Sequence, residues 1–229
     1  MNYEEGELMC EVSVSSTLAL NPMPQETVWW MPRHEEKLAL KNSMSRVDLV
    51  FLGDSITQAW EKEGAEVWDE YYAPRHALNL GFNGDRTENI LWRLEHGEVD
   101  GLQPKLLVLL IGTNNTGHRQ DSPEDTVEGI KQILSVLSKK LPETKILLLA
   151  IFPRSAKPTQ TLRVLNDAIN QKIQHFSDNQ RVFFLDINHH FLDEKGCLTS
   201  NVMNDFLHPN ASQYRVWAEA IEPYLSKWL

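Results

Sequence analysis

From Val47 onward the apolar residues alternate between two rhythms. Runs of four to seven residues occupy 47–52, 77–80, 106–111, 145–151 and 182–185, and the third and fourth are apolar almost without a break. Strands of that kind are buried on both faces. Between the runs, apolar positions recur every three to four residues and predict helices over 60–72, 86–96, 123–140 and 162–176. A helix is also predicted over 26–44, carrying Trp29, Trp30, Leu38 and Leu40, and a last one over 211–229 that Pro223 would kink or interrupt. Strand and helix in alternation imply right-handed βαβ units. The expected fold class is α/β, a three-layer α/β/α sandwich around a five-stranded parallel sheet.

Residues 1–25 show no period and contain Asn21-Pro22-Met23-Pro24, so they read as an extended arm laid over the body or a disordered tail. Residues 26–229 read as one domain, with no linker, internal repeat or low-complexity segment.

In an open parallel sheet the strand ends and the loops that follow them share one rim, where ligands bind. The polar signatures fall on that rim. Gly53-Asp54-Ser55-Ile56-Thr57 follows the first run, Asn83-Gly84-Asp85-Arg86 the second, and Gly112-Thr113-Asn114-Asn115 the third. Ser55 is therefore a candidate nucleophile, which needs a base to take its proton and a third group to orient that base. Asp205 and His208 offer both within four residues of sequence. The loops supply donors for an oxyanion: the backbone N–H of Ser55, the backbone N–H of Gly84, and the side-chain amide of Asn114. Asn114 and Asn115 both also read as turn formers, and Asp54 as a structural hydrogen-bonding residue. The chemistry is ester hydrolysis through an acyl-enzyme.

These blocks carry a resemblance. The chain is similar to the SGNH (GDSL-type) hydrolase superfamily, whose four blocks correspond here to Gly53-Asp54-Ser55-Ile56, Gly84, Gly112-Thr113-Asn114-Asn115 and Asp205-Phe206-Leu207-His208. Within it, His76-Ala77-Leu78-Asn79 and Leu91-Trp92-Arg93-Leu94 resemble the catalytic subunits of intracellular platelet-activating-factor acetylhydrolases and their bacterial acetylesterase relatives. The resemblance runs from about Val47 to the end. It implies the Ser55–His208–Asp205 triad and favours Asn114 over Asn115 as the functional amide. Two departures stand out: Ile56 replaces the leucine of the GDSL name, and Asn83 stands where the acetylhydrolase subunits resemble a Gly-Gly pair. The extra side chain argues against carrying over a lipid substrate. The preferred expectation is a short-chain acetylesterase acting on sugar or other small esters. The alternatives are a lipid-directed acetylhydrolase and a non-catalytic scaffold that retains the fold.

Composition narrows the partners. With 32 acidic against 22 basic side chains the net charge is −10, which disfavours nucleic acid and anionic membrane surfaces. A small ester is the expected partner, and a homodimer is left open. No apolar stretch approaches the roughly 20 residues of a membrane span. The acidic start Met1-Asn2-Tyr3-Glu4-Glu5 and the polar stretch 12–20 do not form a secretory signal, so a cytoplasmic location is expected. Cys10 and Cys197, the only cysteines, read as free structural thiols. No glycine-rich nucleotide loop is present, and no cofactor is implied. His189 and His190, with Asp186 and Asp193 nearby, invite a metal reading, but adjacent histidines on a strand point to opposite faces. The expected metal site is none. Trp92 and Arg93 lie too far inside their helix to be claimed for the site, and the tryptophans read mainly as packing.

Overall fold

The five apolar runs form five parallel strands, β1 (Leu49–Gly53), β2 (Ala77–Gly81), β3 (Leu106–Leu110), β4 (Lys145–Leu149) and β5 (Val182–Leu185). The computed structural model describes residues 18–229. The arm reading for residues 1–17 and the Cys10 thiol lie outside the described residues. The strand order is β2-β1-β3-β4-β5, every pairing parallel. In this order the chain first winds to one side of β1 and then to the other, so a crevice opens at the carboxyl ends of β1 and β3.

Side chains alternate across each strand and build two cores. On one face Val50, Leu52, Leu107, Leu109 and Leu148 meet Ile90 and Leu94 of α4 (Thr87–Glu95), Ile130, Ile133 and Leu137 of α5 (Pro123–Lys140), and Ile169 of α6 (Thr161–Ile173). On the other, Phe51, Val108 and Leu147 meet Trp60 together with Trp217, Ile221 and Leu225 of α7 (Ala211–Trp228). This is the three-layer α/β/α sandwich expected.

Several helices differ from the periodicity. α1 spans Trp30–Ser43 rather than 26–44. Pro32 has no N–H to give to a carbonyl four residues earlier, so the helix starts within a turn of it. The predicted helix over 60–72 is broken into a single 3-10 turn (Ala59–Glu61) and α3 (Ala65–Tyr71). The break falls at Lys62, whose backbone leaves the helical region, and the Gly64 N–H closes the turn onto the Ala59 carbonyl. Pro223 does not interrupt α7, which runs through it with the proline on the exposed face.

The part of the N-terminal segment that is described packs on α4. Ala19 is buried, its carbonyl accepts the Thr87 hydroxyl at 2.9 Å, and Met23 exchanges hydrogen bonds with Glu88 and Asn89.

Candidate active site

Ser55 opens a four-residue helix, α2 (Ser55–Gln58), directly after β1. Asp54 caps that helix, its Oδ1 accepting the Ile56 N–H at 3.0 Å. The backbone of α2 rests on the end of β2 so closely that a Cβ on Gly81 would lie 2.1 Å from the Gln58 nitrogen. From the opposite side Tyr214 of α7 donates its hydroxyl to the Ile56 carbonyl at 2.8 Å. The serine is thus held from three elements.

Asp205 and His208 sit on a tight turn just before α7, not on a helix. Asp205 Oδ1 accepts the backbone N–H groups of Leu207 and His208 at 3.0 and 2.8 Å. Phe206 between them has φ +57, a left-handed conformation that costs a bulky residue about 1–2 kcal/mol and persists because its neighbours fix it. The turn leaves Asp205 Oδ2 free to face the ring. It lies 2.6 Å from His208 Nδ1, and His208 Nε2 lies 2.9 Å from Ser55 Oγ.

Burial pushes the Asp205 carboxyl up, but the hydrogen bonds from the His208 ring and backbone outweigh it and hold the group below the ordinary carboxylate range. An ionised Asp205 accepts and cannot donate, so His208 carries its proton on Nδ1 and offers Nε2 as acceptor to the serine.

The second loop brings Gly84 to the same rim with φ +74, a conformation suited to glycine. The N–H groups of Ser55 and Gly84 find no acceptor among the described residues. Asn114, after β3, gives one amide hydrogen to the Asp85 carbonyl at 3.0 Å and keeps a second. Asn115 is used differently. Its side chain holds the start of α4 through Thr87 and bonds Asp121, while a π-helical turn over Asn115–Arg119 that periodicity did not anticipate carries the chain away.

Beside Ser55 lies a cleft of about 500 Å³. Gln58, Lys62, Glu63, Asn83, Asn204 and Asn210 line it together with Ala59, Pro209 and Ala211, so its wall is mixed.

Three contributors were not legible beforehand. Arg93, set aside as too deep in α4, is fully buried and reaches back to the site loops. It pairs with Asp85 at 2.8 Å and with Glu98, and donates to the Leu80 carbonyl at the end of β2. Asp85 also receives Trp30 Nε1 at 2.7 Å and Gln25 Nε2 at 2.6 Å. Its partners are all donors, which suits the carboxylate form even though burial pushes the group up. Arg154, after β4, donates to the Thr113 carbonyl at 2.8 Å. The one available signal was Arg93 itself, a charge on the core-facing stripe three residues after Ile90.

His189 and His190 require a correction. They lie in a 3-10 turn, Asn188–Phe191, with ring centroids 4.0 Å apart, so the argument from opposite faces of a strand does not apply. Asp186 and Asp193 instead accept backbone N–H groups of their own turns. Among the described residues no three His, Cys, Asp or Glu side chains gather around a common point.

The chain matches the GDSL-like Lipase/Acylhydrolase family over residues 51–216. It belongs to that family. This GDSL-like hydrolase is 32% identical to platelet-activating factor acetylhydrolase IB subunit alpha1 of Bos taurus, across 92% of this chain and 90% of that protein. It is 34% identical to the alpha2 subunit of Rattus norvegicus, across 81% and 78%. In fold it is similar to a GDSL-like lipase from Bacteroides thetaiotaomicron (TM-score 0.66, 18% identity, covering 86% of this chain and 98% of that one). An acetylxylan esterase from Geobacillus stearothermophilus is also similar (TM-score 0.61, 16% identity, 76% and 91%). General esterase or acylhydrolase activity goes with the family. No helix among the described residues is long and apolar enough to cross a membrane.

Asp54, beside Ser55, gives a pH-dependent signature. Burial pushes its carboxyl up to about 7, against the Ile56 N–H and the His208 charge, which pull it down. The folded hydrolase therefore keeps a proton that the unfolded chain has released above about pH 4. That contribution to stability is complete at low pH and is lost as pH rises through 7. Asp54→Asn, which cannot ionise, should gain stability relative to wild type across this window, by at most about 1.4 kcal/mol per pH unit. Urea melts of both proteins from pH 4 to 8 measure it. Parallel curves would show that Asp54 is ionised throughout.

Proposed function

We propose that this hydrolase is a serine esterase that removes acetyl or other short acyl groups from small polar esters in the cytoplasm. The observation that carries the reading is the continuous hydrogen-bonded line from Ser55 Oγ through His208 to Asp205, with separations of 2.9 and 2.6 Å. His208 Nε2 takes the Ser55 proton as Oγ bonds to the ester carbonyl carbon. The carbonyl oxygen becomes an oxyanion and is met by the Ser55 and Gly84 N–H groups and the free amide hydrogen of Asn114. His208 returns the proton to the departing alcohol. Water, deprotonated by the same ring, then releases the acid and restores Ser55. Arg93 and Asp85 serve beneath, holding the loops.

The polar side chains in the cleft wall speak for a short acyl group. Burying a methylene is worth about 0.8 kcal/mol only against an apolar surface, and a longer chain here meets Gln58, Asn83, Asn204 and Asn210 instead. The second reading, a lipid-directed acetylhydrolase, is favoured by the names of the 32–34% identical relatives. Both readings release acetate, so the leaving group separates them, while the acyl series tests the pocket argument. For aryl esters, kcat/KM should fall from acetate through butyrate to octanoate, and Asn83→Gly should flatten the decline by removing one polar side chain from the wall. A preference for octanoate, or an unchanged profile in Asn83→Gly, would overturn the pocket argument. Faster release from an acetylated phospholipid than from acetylated sugars would make the lipid reading the better one.

A further inference from the structure

We propose that Gln25 is a positioning residue for the oxyanion hole, so that the segment preceding the family-matched region takes part in turnover. This rests on the assignment of Gly84 as an oxyanion donor made above.

Gln25 lies outside residues 51–216, the region matched to the family. Its Nε2 donates to the Asn83 carbonyl at 3.0 Å and to Asp85 Oδ1 at 2.6 Å. These two acceptors flank Gly84, so one amide spans the glycine. The first contact matters most. The carbonyl of Asn83 and the N–H of Gly84 belong to one planar peptide unit and point in opposite directions. Fixing the oxygen on Gln25 therefore fixes the aim of the N–H away from Gln25.

The other side of the loop is held as well. Asn83 gives its own N–H to Gln58 Oε1 at 2.6 Å, and Gln58 ends the helix that Ser55 begins. The Asn83–Asp85 loop is thus clamped between the nucleophile's helix and Gln25. Glycine at 84 is the residue least able to hold such a peptide by itself, since its φ of +74 is one of many accessible values. A hydrogen bond accepted by the Asn83 oxygen also polarises the unit and strengthens its N–H as a donor.

Asp85 extends the effect to the third donor, because its backbone carbonyl receives Asn114 Nδ2. Gln25 itself is anchored. Two residues before it, Met23 bonds the Glu88 carbonyl and the Asn89 amide on α4, and the Thr27 hydroxyl bonds Gln25 Oε1 at 3.3 Å.

The test uses the full chain with Gln25→Met, which keeps the bulk and removes both donors, and Gln25→Ala. Gln25 is half-buried on the surface, so both should fold. The expected result is a fall in kcat of about tenfold with KM within about twofold, because a donor misaimed by a fraction of an ångström loses transition-state stabilisation and leaves ground-state binding alone. A trifluoromethyl ketone, whose serine adduct carries the oxyanion, should bind weaker by the same factor. Equal kcat and equal ketone affinity in folded Gln25→Met, measured beside an Asn114→Ala control that does lose turnover, would overturn the proposal. So would a loss of kcat without any change in ketone affinity, which marks a merely structural role. If Asn114→Ala and Gln25→Met were both silent, the oxyanion assignment would fail, and the proposal with it.

Discussion

Ser55→Ala should lower ester turnover by roughly 10⁴-fold or more while leaving the fold intact, and His208→Ala should do nearly the same. Among the described residues the serine hydroxyl has one side-chain partner, His208 Nε2 at 2.9 Å, and alanine keeps the Cβ in place. Its helix keeps the Asp54 cap and the Tyr214 hydrogen bond, so unfolding temperature should barely move. Losses should not add. Once the nucleophile is gone the base has no proton to take, so Ser55→Ala/His208→Ala should be about as inactive as either single variant.

Asp205→Asn should cost less than Ser55→Ala. An asparagine can still accept the Leu207 and His208 N–H groups through Oδ1, but its amide would face His208 Nδ1 and favour the wrong tautomer. A fluorophosphonate reagent gives an independent readout, with covalent mass on Ser55 in wild type and none in Ser55→Ala. Turnover in folded Ser55→Ala equal to wild type would sink the mechanism.

The fold and the meeting of Ser55, His208 and Asp205 were legible because each rests on local rules. Runs such as 106–111 can be buried only on two faces, and an apolar strand running into Gly-Asp-Ser places one hydroxyl at a sheet edge. Asp205 and His208 were within reach for the same reason, being three residues apart on one turn. What periodicity could not give is contact between distant segments. Gln25 and Asp85 are 60 residues apart, and Trp30 and Asp85 are 55 apart. Arg93 lies eight residues from Asp85 in sequence, yet its long side chain brings Nε within 2.9 Å of Asp85 Oδ2 beneath the loop. The misread histidines had another cause. Residues 188–191 continue the β5 region in sequence, and nothing in their side chains announces the 3-10 turn that follows Ile187.

Asn114→Ala should lower kcat by about 10²–10³-fold with little change in KM. One amide hydrogen of Asn114 is bound to the Asp85 carbonyl, which fixes the plane of the group and leaves the second hydrogen at the rim. A donor held in that way costs no reorganisation when the oxyanion forms, and its benefit belongs to the transition state. Removing it leaves the Asp85 carbonyl with one partner fewer, but that carbonyl lies beside a loop already tied by Trp30, Gln25 and Arg93, so the loop should stay in place. Asn115→Ala is the informative comparison, because Asn115 spends its side chain on Thr87 and Asp121. That variant should lose stability through the start of α4, with its kcat falling less than that of Asn114→Ala. Steady-state kinetics and thermal melts of the pair decide it. A rise in KM alone for Asn114→Ala would make the residue a substrate-binding group, and a larger kcat loss in Asn115→Ala would exchange the two roles.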